Sequence, residues 1–269
     1  MLEIHVKAKQ GKAPVIQRVA GELHDLAFSQ SAPWVVVHDA RCERIDFSGH
    51  KFAPLAVGSA SFIECDFSRA RFLHSSLGDL GASHPQALYR DCQFDRADMR
   101  HMPHIGNARF ERCTFRETRI EGWRADRAEF IDCVFSGALH DCRFTGRPWE
   151  DEGATGRERN EFHGNDFCQA DLSAVQFAYG VDIDAQLLPQ GDNYVRLSRP
   201  RERIDRVRAL ISRWPDDRDR EYALAGLKMV DSPGDLEQDW LFLDRRLFLG
   251  GRIPDVDKQV LEMLEHALD

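Results

Sequence analysis

Large apolar residues in the middle of the chain recur every five positions. Phe47, Phe52, Phe62, Phe67 and Phe72 differ by multiples of five, as do Phe110, Phe115, Phe130 and Phe135, and again Phe162, Phe167 and Phe177. Val57, Leu77, Ile120 and Leu172 fill the gaps in register. An α-helix repeats near 3.6 residues and a strand at 2, so a sustained five belongs to neither. It is the signature of a repeat architecture. The position two before each large residue is small, as at Ala60, Cys65, Ala70, Ala108, Cys113 and Ala128, and the residue between them is often polar, as in Cys65-Asp66-Phe67. Extended backbone sends alternate side chains to one face, so the small and the large residue go inward together. The intervening residue and the two that follow face water or turn a corner. Four such sides predict a square coil of twenty. Phe110 and Phe130, Phe115 and Phe135, and Cys113 and Cys133 each lie twenty apart, which stacks them at ~4.8 Å and builds columns of rings.

The phase slips in a few places. Between Leu77 and Phe94 the stretch GDLGASHPQALYRDC carries the Gly and Pro of a loop or corner insertion. Around His101-Met102-Pro103-His104 the count gains one, and between Phe135 and Leu139 it loses one. The largest break, TGRPWEDEGATGRERNEF, runs from Thr145 to Phe162 and predicts a loop over about 145–161. Subtracting the insertions leaves about six coils, or ~29 Å of stack.

Outside the coil the pattern changes. Residues 1–39 alternate weakly (Leu2, Ile4, Val6) before Val35-Val36-Val37 and predict a capping segment. Beyond Pro189 the five-residue phase is gone. Ile204, Val207, Leu210, Ile211 and Trp214 share a helical face, and Tyr222, Leu224, Leu227 and Val230 suggest a second helix. Trp240 to Leu249 reads as a third, and Pro254 opens a fourth through Val260, Leu261, Leu264 and Leu268. The expected organisation is a cap over 1–39, a coil over 40–183 and a helical region over 190–269 that covers a solenoid end.

Composition narrows the function. The chain has 269 residues, 42% of them hydrophobic, and a formal net charge of −9. That is enough apolar material for a core. No run approaches the ~20 apolar residues of a membrane span, and the start MLEIHVKAKQGK lacks the apolar stretch of a signal peptide. Seven cysteines with no secretory signal predict reduced thiols and a cytoplasmic location. Net acidity argues against nucleic-acid and anionic-membrane binding.

The stretches ARFERCTFRETRI, CDFSRARF, CQFDRADM and FHGNDFCQADLSAVQF resemble the pentapeptide-repeat family, whose motif is A-[DN]-[LF]-x-x. The resemblance covers roughly residues 40–183. It implies a mainly β fold, a right-handed quadrilateral β-helix, here with an α-helical C-terminal region. One branch of the family binds bacterial type II topoisomerase, inhibiting it or protecting it from inhibitors, by imitating duplex DNA, so the resemblance implies DNA gyrase or topoisomerase IV as one protein partner. The charge arithmetic favours a different reading. Residues 40–182 carry 23 acidic and 18 basic side chains, a net of −5, whereas duplex DNA carries one charge per ~1.7 Å. The expectation is therefore a non-catalytic protein-binding scaffold. The DNA mimic is the alternative, and an enzyme with a cleft between coil and helices comes third. The helical region is where two copies would pair.

Chemistry-bearing residues are few. Cys92, Cys113 and Cys133 take the small inward position, which makes them core thiols, with no CxxC pair for zinc. Cys168 faces outward and is the thiol expected to react with reagents. His101 and His104, with Asp98 nearby, have metal-like spacing but no third ligand. No catalytic or cofactor motif is present (GxSxG, HExxH, P-loop, GxGxxG), so no catalytic residue, metal or cofactor is expected. The Arg196–Arg208 segment, with six arginines, reads as a solvated helix face with Glu202–Arg206 and Arg201–Asp205 pairs. Trp149, Glu150, Asp151 and Glu152, an aromatic among carboxylates on a projecting loop, are the expected partner-binding residues.

Overall fold

The computed structural model describes residues 16–28, 34–79, 85–102, 105–148, 156–249 and 251–269. From Ile16 onward the backbone forms short strands that pair in parallel with the coil above and the coil below. Ala40–Glu43 lies on Ala60–Ile63, then Ala87–Arg90, Ala108–Glu111, Glu129–Ile131 and Phe162–His163. A second sheet stacks Lys51–Phe52, Arg71–Leu73, Asp98–His101 and Arg119–Glu121. A third holds Arg124–Ala125, Arg143–Thr145 and Gln176–Ala178. Between the first two sheets, Asp46, Asp66, Gln93 and Thr114 are joined by single bridges. The structure is mainly β, with parallel sheets and a few helices.

Pairing offsets of twenty follow directly from sides of five. Ring columns fill the interior. Phe47, Phe67, Phe94, Phe115, Phe135 and Phe167 stack nearly face to face, with centroids 4.5–4.9 Å apart and planes within 7°. Phe62, Tyr89, Phe110 and Phe130 form a second column at 4.8–4.9 Å. Corners are turned by residues with positive φ at equivalent places in successive coils: Asp25, Arg44, Glu64, Asp91, Arg112 and Asp132 at one corner, each between 51° and 54°.

The slips have definite forms. The extra residue sits in the Asp98–His101 strand, where pairing passes from Arg71↔Asp98 to Leu73↔His101. The missing one is absorbed at Ser136-Gly137, where the strand runs unbroken from Val134 to His140. The parallel pairing also begins earlier than the expected coil start at 40, because Ile16–His24 lies on Trp34–Glu43. The expected strands Leu2, Ile4 and Val6 fall outside the described residues.

The C-terminal part has its own core. Helix α1 (Pro200–Ile211) buries Ile204, Val207 and Ile211, with Leu210 exposed. Helix α2 (Asp217–Leu227) buries Ala223 and Leu227, α3 (Pro233–Leu236) is short, and α4 spans Arg245–Leu249. Helix α5 (Pro254–His266) buries Val256, Val260, Leu261 and Leu264. The expected helix over Trp240–Leu249 is instead a strand, Trp240–Asp244, followed by α4. The strand pairs antiparallel with Tyr194–Ser198. Its alternation explains the difference. Leu241 and Leu243 join the helical core while Phe242 joins the coil core, 6.0 Å from Phe177. The strand mortars the two cores together and closes one end of the coil.

Candidate interaction faces

The small inward positions behave as expected. Cys65, Cys92, Cys113 and Cys133 form a buried column, and each thiol donates to a carbonyl of the preceding coil, at 3.3–3.5 Å. Burial pushes the Cys42 and Cys142 thiols up to about 12. The next rung replaces sulfur with amide. Asn165 accepts from the Cys133 N–H (3.0 Å), and Gln186 accepts from the Asn165 N–H (3.2 Å) while donating to the Phe162 carbonyl (2.9 Å). These amides satisfy strand groups where the coil runs out. Asn165 occupies the small slot two before Phe167, a signal the sequence carried. Cys168 is exposed, but its thiol is raised, first by its hydrogen bond with Asp166 and then by desolvation.

Outward rows can be followed rung by rung. Over the first sheet they run Arg41, Ser61, Leu88, Arg109, Glu129. Along the bridged side they run Asp46, Asp66, Gln93, Thr114, Val134, Asp166. The second sheet gives Lys51, Arg71, Asp98, Arg119, and the third gives Arg124, Arg143, Gln176. Among the described residues, none of these rows is an unbroken line of carboxylates.

Along the bridged side Asp46, Asp66 and Asp166 accept the backbone N–H two residues on, whereas several other outward carboxylates are stitched to arginines about one coil away. Arg112 holds Asp91 at 2.7 Å, Arg96 holds Glu117 at 2.9 Å, and Arg143 holds Asp126 at 2.8 Å. Arg109 sits among Glu111, Glu129 and Glu161 at 2.6, 2.9 and 3.0 Å. Burial opposes ionisation of Glu111, but hydrogen bonds from Arg109 and Arg90 outweigh it and lower its pKa. Glu161 is lowered chiefly by Arg109. Amid this ladder Ile63 and Leu88 point outward and are half-buried.

Trp149, Glu150, Asp151 and Glu152 lie outside the described residues, as does His104. The flanks of that loop are fixed to the coil and its cover. Arg147 pairs with Glu237 at 2.7 Å and lies over the Tyr179 ring. On the return, Arg157 reaches Glu129 and Asn107, and Asn160 donates to the Asp126 and Thr145 carbonyls. Asp98 is taken by Arg100 at 2.8 Å, and His101 is exposed at the end of its strand. On α1 the pairs formed are Arg199–Glu202 and Arg208–Asp205, three residues apart, rather than the expected Glu202–Arg206 and Arg201–Asp205. Arg208 also turns to Asp231 on the neighbouring turn, and Arg203 to the carbonyls of Leu264 and Glu265, so tertiary partners decide the choice.

Five-residue sides, offsets of twenty and two internal ring columns define a mainly β coil of stacked parallel strands, the kind of fold that the resemblance to the pentapeptide-repeat family implied. No family model matches it, and no curated protein matches it in sequence. Among solved structures it is similar to full-length QnrB1, a plasmid-mediated fluoroquinolone resistance protein, at 18% identity over 62% of this chain and 82% of that one, with a TM-score of 0.25. It is also similar to HetL, a pentapeptide-repeat protein involved in heterocyst differentiation regulation from the cyanobacterium Nostoc sp. strain PCC 7120. There the identity is 12% over 67% of this chain and 86% of that one, with a TM-score of 0.23. The description of the fold rests on the chain's own strand pairing and ring columns.

Proposed function

We propose that the chain is a non-catalytic scaffold, a right-handed quadrilateral β-helix that binds a protein partner through the face of its first sheet. The observation behind this reading is the interrupted outward rows. A DNA mimic needs carboxylates spaced like phosphates and free to meet a basic groove, whereas here Arg112, Arg96, Arg143 and Arg109 already hold the acids of neighbouring coils. Ile63 and Leu88 within an Arg/Glu ladder have the composition of a protein interface, apolar at the centre with arginine around it.

The expected outcome in a supercoiling assay with purified bacterial gyrase and relaxed plasmid is neither inhibition nor protection from a gyrase poison at large molar excess. Inhibition or protection would overturn the scaffold reading in favour of topoisomerase binding. In affinity capture, Leu88→Arg is expected to abolish a partner that Arg71→Glu, on another face, retains.

A further inference from the structure

We propose that the face of the second sheet docks a short acidic segment of a partner protein, an extended stretch whose alternate carboxylates meet Lys51, Arg71 and Arg119. These cations share one outward row, in which Lys51 lies on Arg71, Arg71 on Asp98 and Asp98 on Arg119. All three are exposed, and their side chains form no hydrogen bond or ion pair among the described residues. Elsewhere on the coil the pattern is different. On the first and third sheets Arg41, Arg90, Arg109, Arg124 and Arg143 are each ion-paired. The one carboxylate within the row is already held, since Asp98 accepts from Arg100 Nε and Nη2 at 2.9 and 2.8 Å.

The corner leading into this sheet carries the same imbalance. Arg69, two residues before Arg71, is exposed and forms no side-chain hydrogen bond or ion pair among the described residues. It lines a hollow of about 700 Å³ beside Arg96 and Arg116. The acids of that hollow already have donors: the Ser68 N–H for Asp66, the Arg116 N–H for Asp95, and Arg96 for Glu117 at 2.9 and 3.1 Å. Cations without acceptors beside acids with donors favour an anionic partner, and the guanidinium fork fits a carboxylate. Spacing and net charge select a short peptide. Four rungs span ~14 Å, and an extended chain, with same-side carboxylates every ~6.6 Å, covers that in about five residues. A long polyphosphate would meet a chain of net charge −9 and the neighbouring side's Asp46, Asp66 and Asp166. The row lies on a different face from Ile63 and Leu88, so loss of either contact leaves the other measurable.

The probes are a fluorescein-labelled peptide of alternating Glu and Thr, its Gln-Thr counterpart and a single-stranded oligothymidylate of similar length, each titrated with the full chain and followed by anisotropy at low salt. The Glu-Thr peptide is expected to bind at least about tenfold more tightly than the Gln-Thr peptide, and more tightly than the oligonucleotide, with affinity falling as salt is raised. Arg71→Gln combined with Arg119→Gln is expected to weaken Glu-Thr binding at least about tenfold. The same loss of charge on α1, Arg201→Gln combined with Arg206→Gln, should leave it within about twofold. Lys51→Gln, a single change at the end of the row, should also weaken it and decides the matter if the double variant fails to fold. Equal binding of the two peptides, absence of saturable binding, tighter binding of the oligonucleotide, or equal weakening by the row and α1 variants overturns the proposal.

Discussion

At Trp123 and Ala125 the repeat inverts its own rule. By phase, position 125 is a large inward slot and position 123 a small one, yet Trp123 is fully buried and Ala125 stands where neighbouring rungs carry Phe144 and Phe177. The indole fills the space that the alanine leaves, edge-on to Phe115 at 6.0 Å, with Nε1 donating to the Met99 carbonyl at 3.4 Å. Volume is conserved across the pair, which a close-packed interior demands. Trp123→Ala is therefore expected to cost about 3–5 kcal/mol. Adding Ala125→Phe, which restores the usual order, should recover upwards of about 1 kcal/mol of that loss through direct coupling. Urea unfolding of the single and double variants measures both, and strict additivity would show that the two slots do not share one space. The five-residue phase could not reveal this swap, because it records where bulk recurs and not which of two inward slots supplies it.

Elements are held in place by close backbone approaches at the points where insertions leave the coil. Gly78 stacks on Gly106 and Asn107, and a Cβ at Gly78 would lie 2.5 Å from the Asn107 carbonyl carbon and oxygen; one at Gly146 would lie 2.4 Å from the Gly180 carbonyl carbon. Gly78→Ala and Gly146→Ala are each expected to destabilise the fold by about 1–3 kcal/mol through forced backbone shifts. Gly226→Ala, in α2 with open space around it, should instead stabilise by about 0.5–1 kcal/mol. Thermal unfolding of the three variants checks the contrast. Both insertions were legible as broken phase, since a loop cannot keep a period that stacking imposes. The first coil was harder to see. Leu23 and Phe28 lie nineteen residues below Cys42 and Phe47, out of step with the fives, although Phe28 packs 4.9 Å from Phe47. Trp240–Asp244 was misread for another reason. A short apolar run fits a buried strand or a buried helix equally well, and only its two partner cores distinguish them. The expected binding residues Trp149–Glu152 gave no periodic signal of any kind, whereas ERCTFRETRIEGWRADRAEF shows the mixture of arginine and glutamate but not which coil each side chain reaches.

On the scale of the whole molecule, carboxyls held by arginines make stability depend on pH. The carboxyls of Asp25, Glu43, Asp98, Glu117 and Asp171 are lowered, in each case first by a hydrogen bond from an arginine: Arg44 for the first two, then Arg100, Arg96 and Arg246. A carboxyl held below its unfolded value contributes stability above that value and loses it as pH falls through the folded one. Asp235 works in the other direction. Burial raises it against the hydrogen bonds of Ser232 and Gln176, so the native state binds its proton more tightly and gains stability on acidification. With Glu111 and Glu161 also lowered, the lowered carboxyls outnumber the raised Asp235 and predict a thermal midpoint that falls as pH is taken from about 6 to about 3. Asp235→Asn removes the offsetting proton uptake while keeping a side-chain oxygen to cap α3, so its midpoint should fall more steeply than that of the unmodified chain. Differential scanning calorimetry across this range provides the test. Parallel curves would mean that Asp235 titrates alike in the folded and unfolded chain, and a flat curve would mean that the arginine partners of these carboxyls contribute nothing to stability.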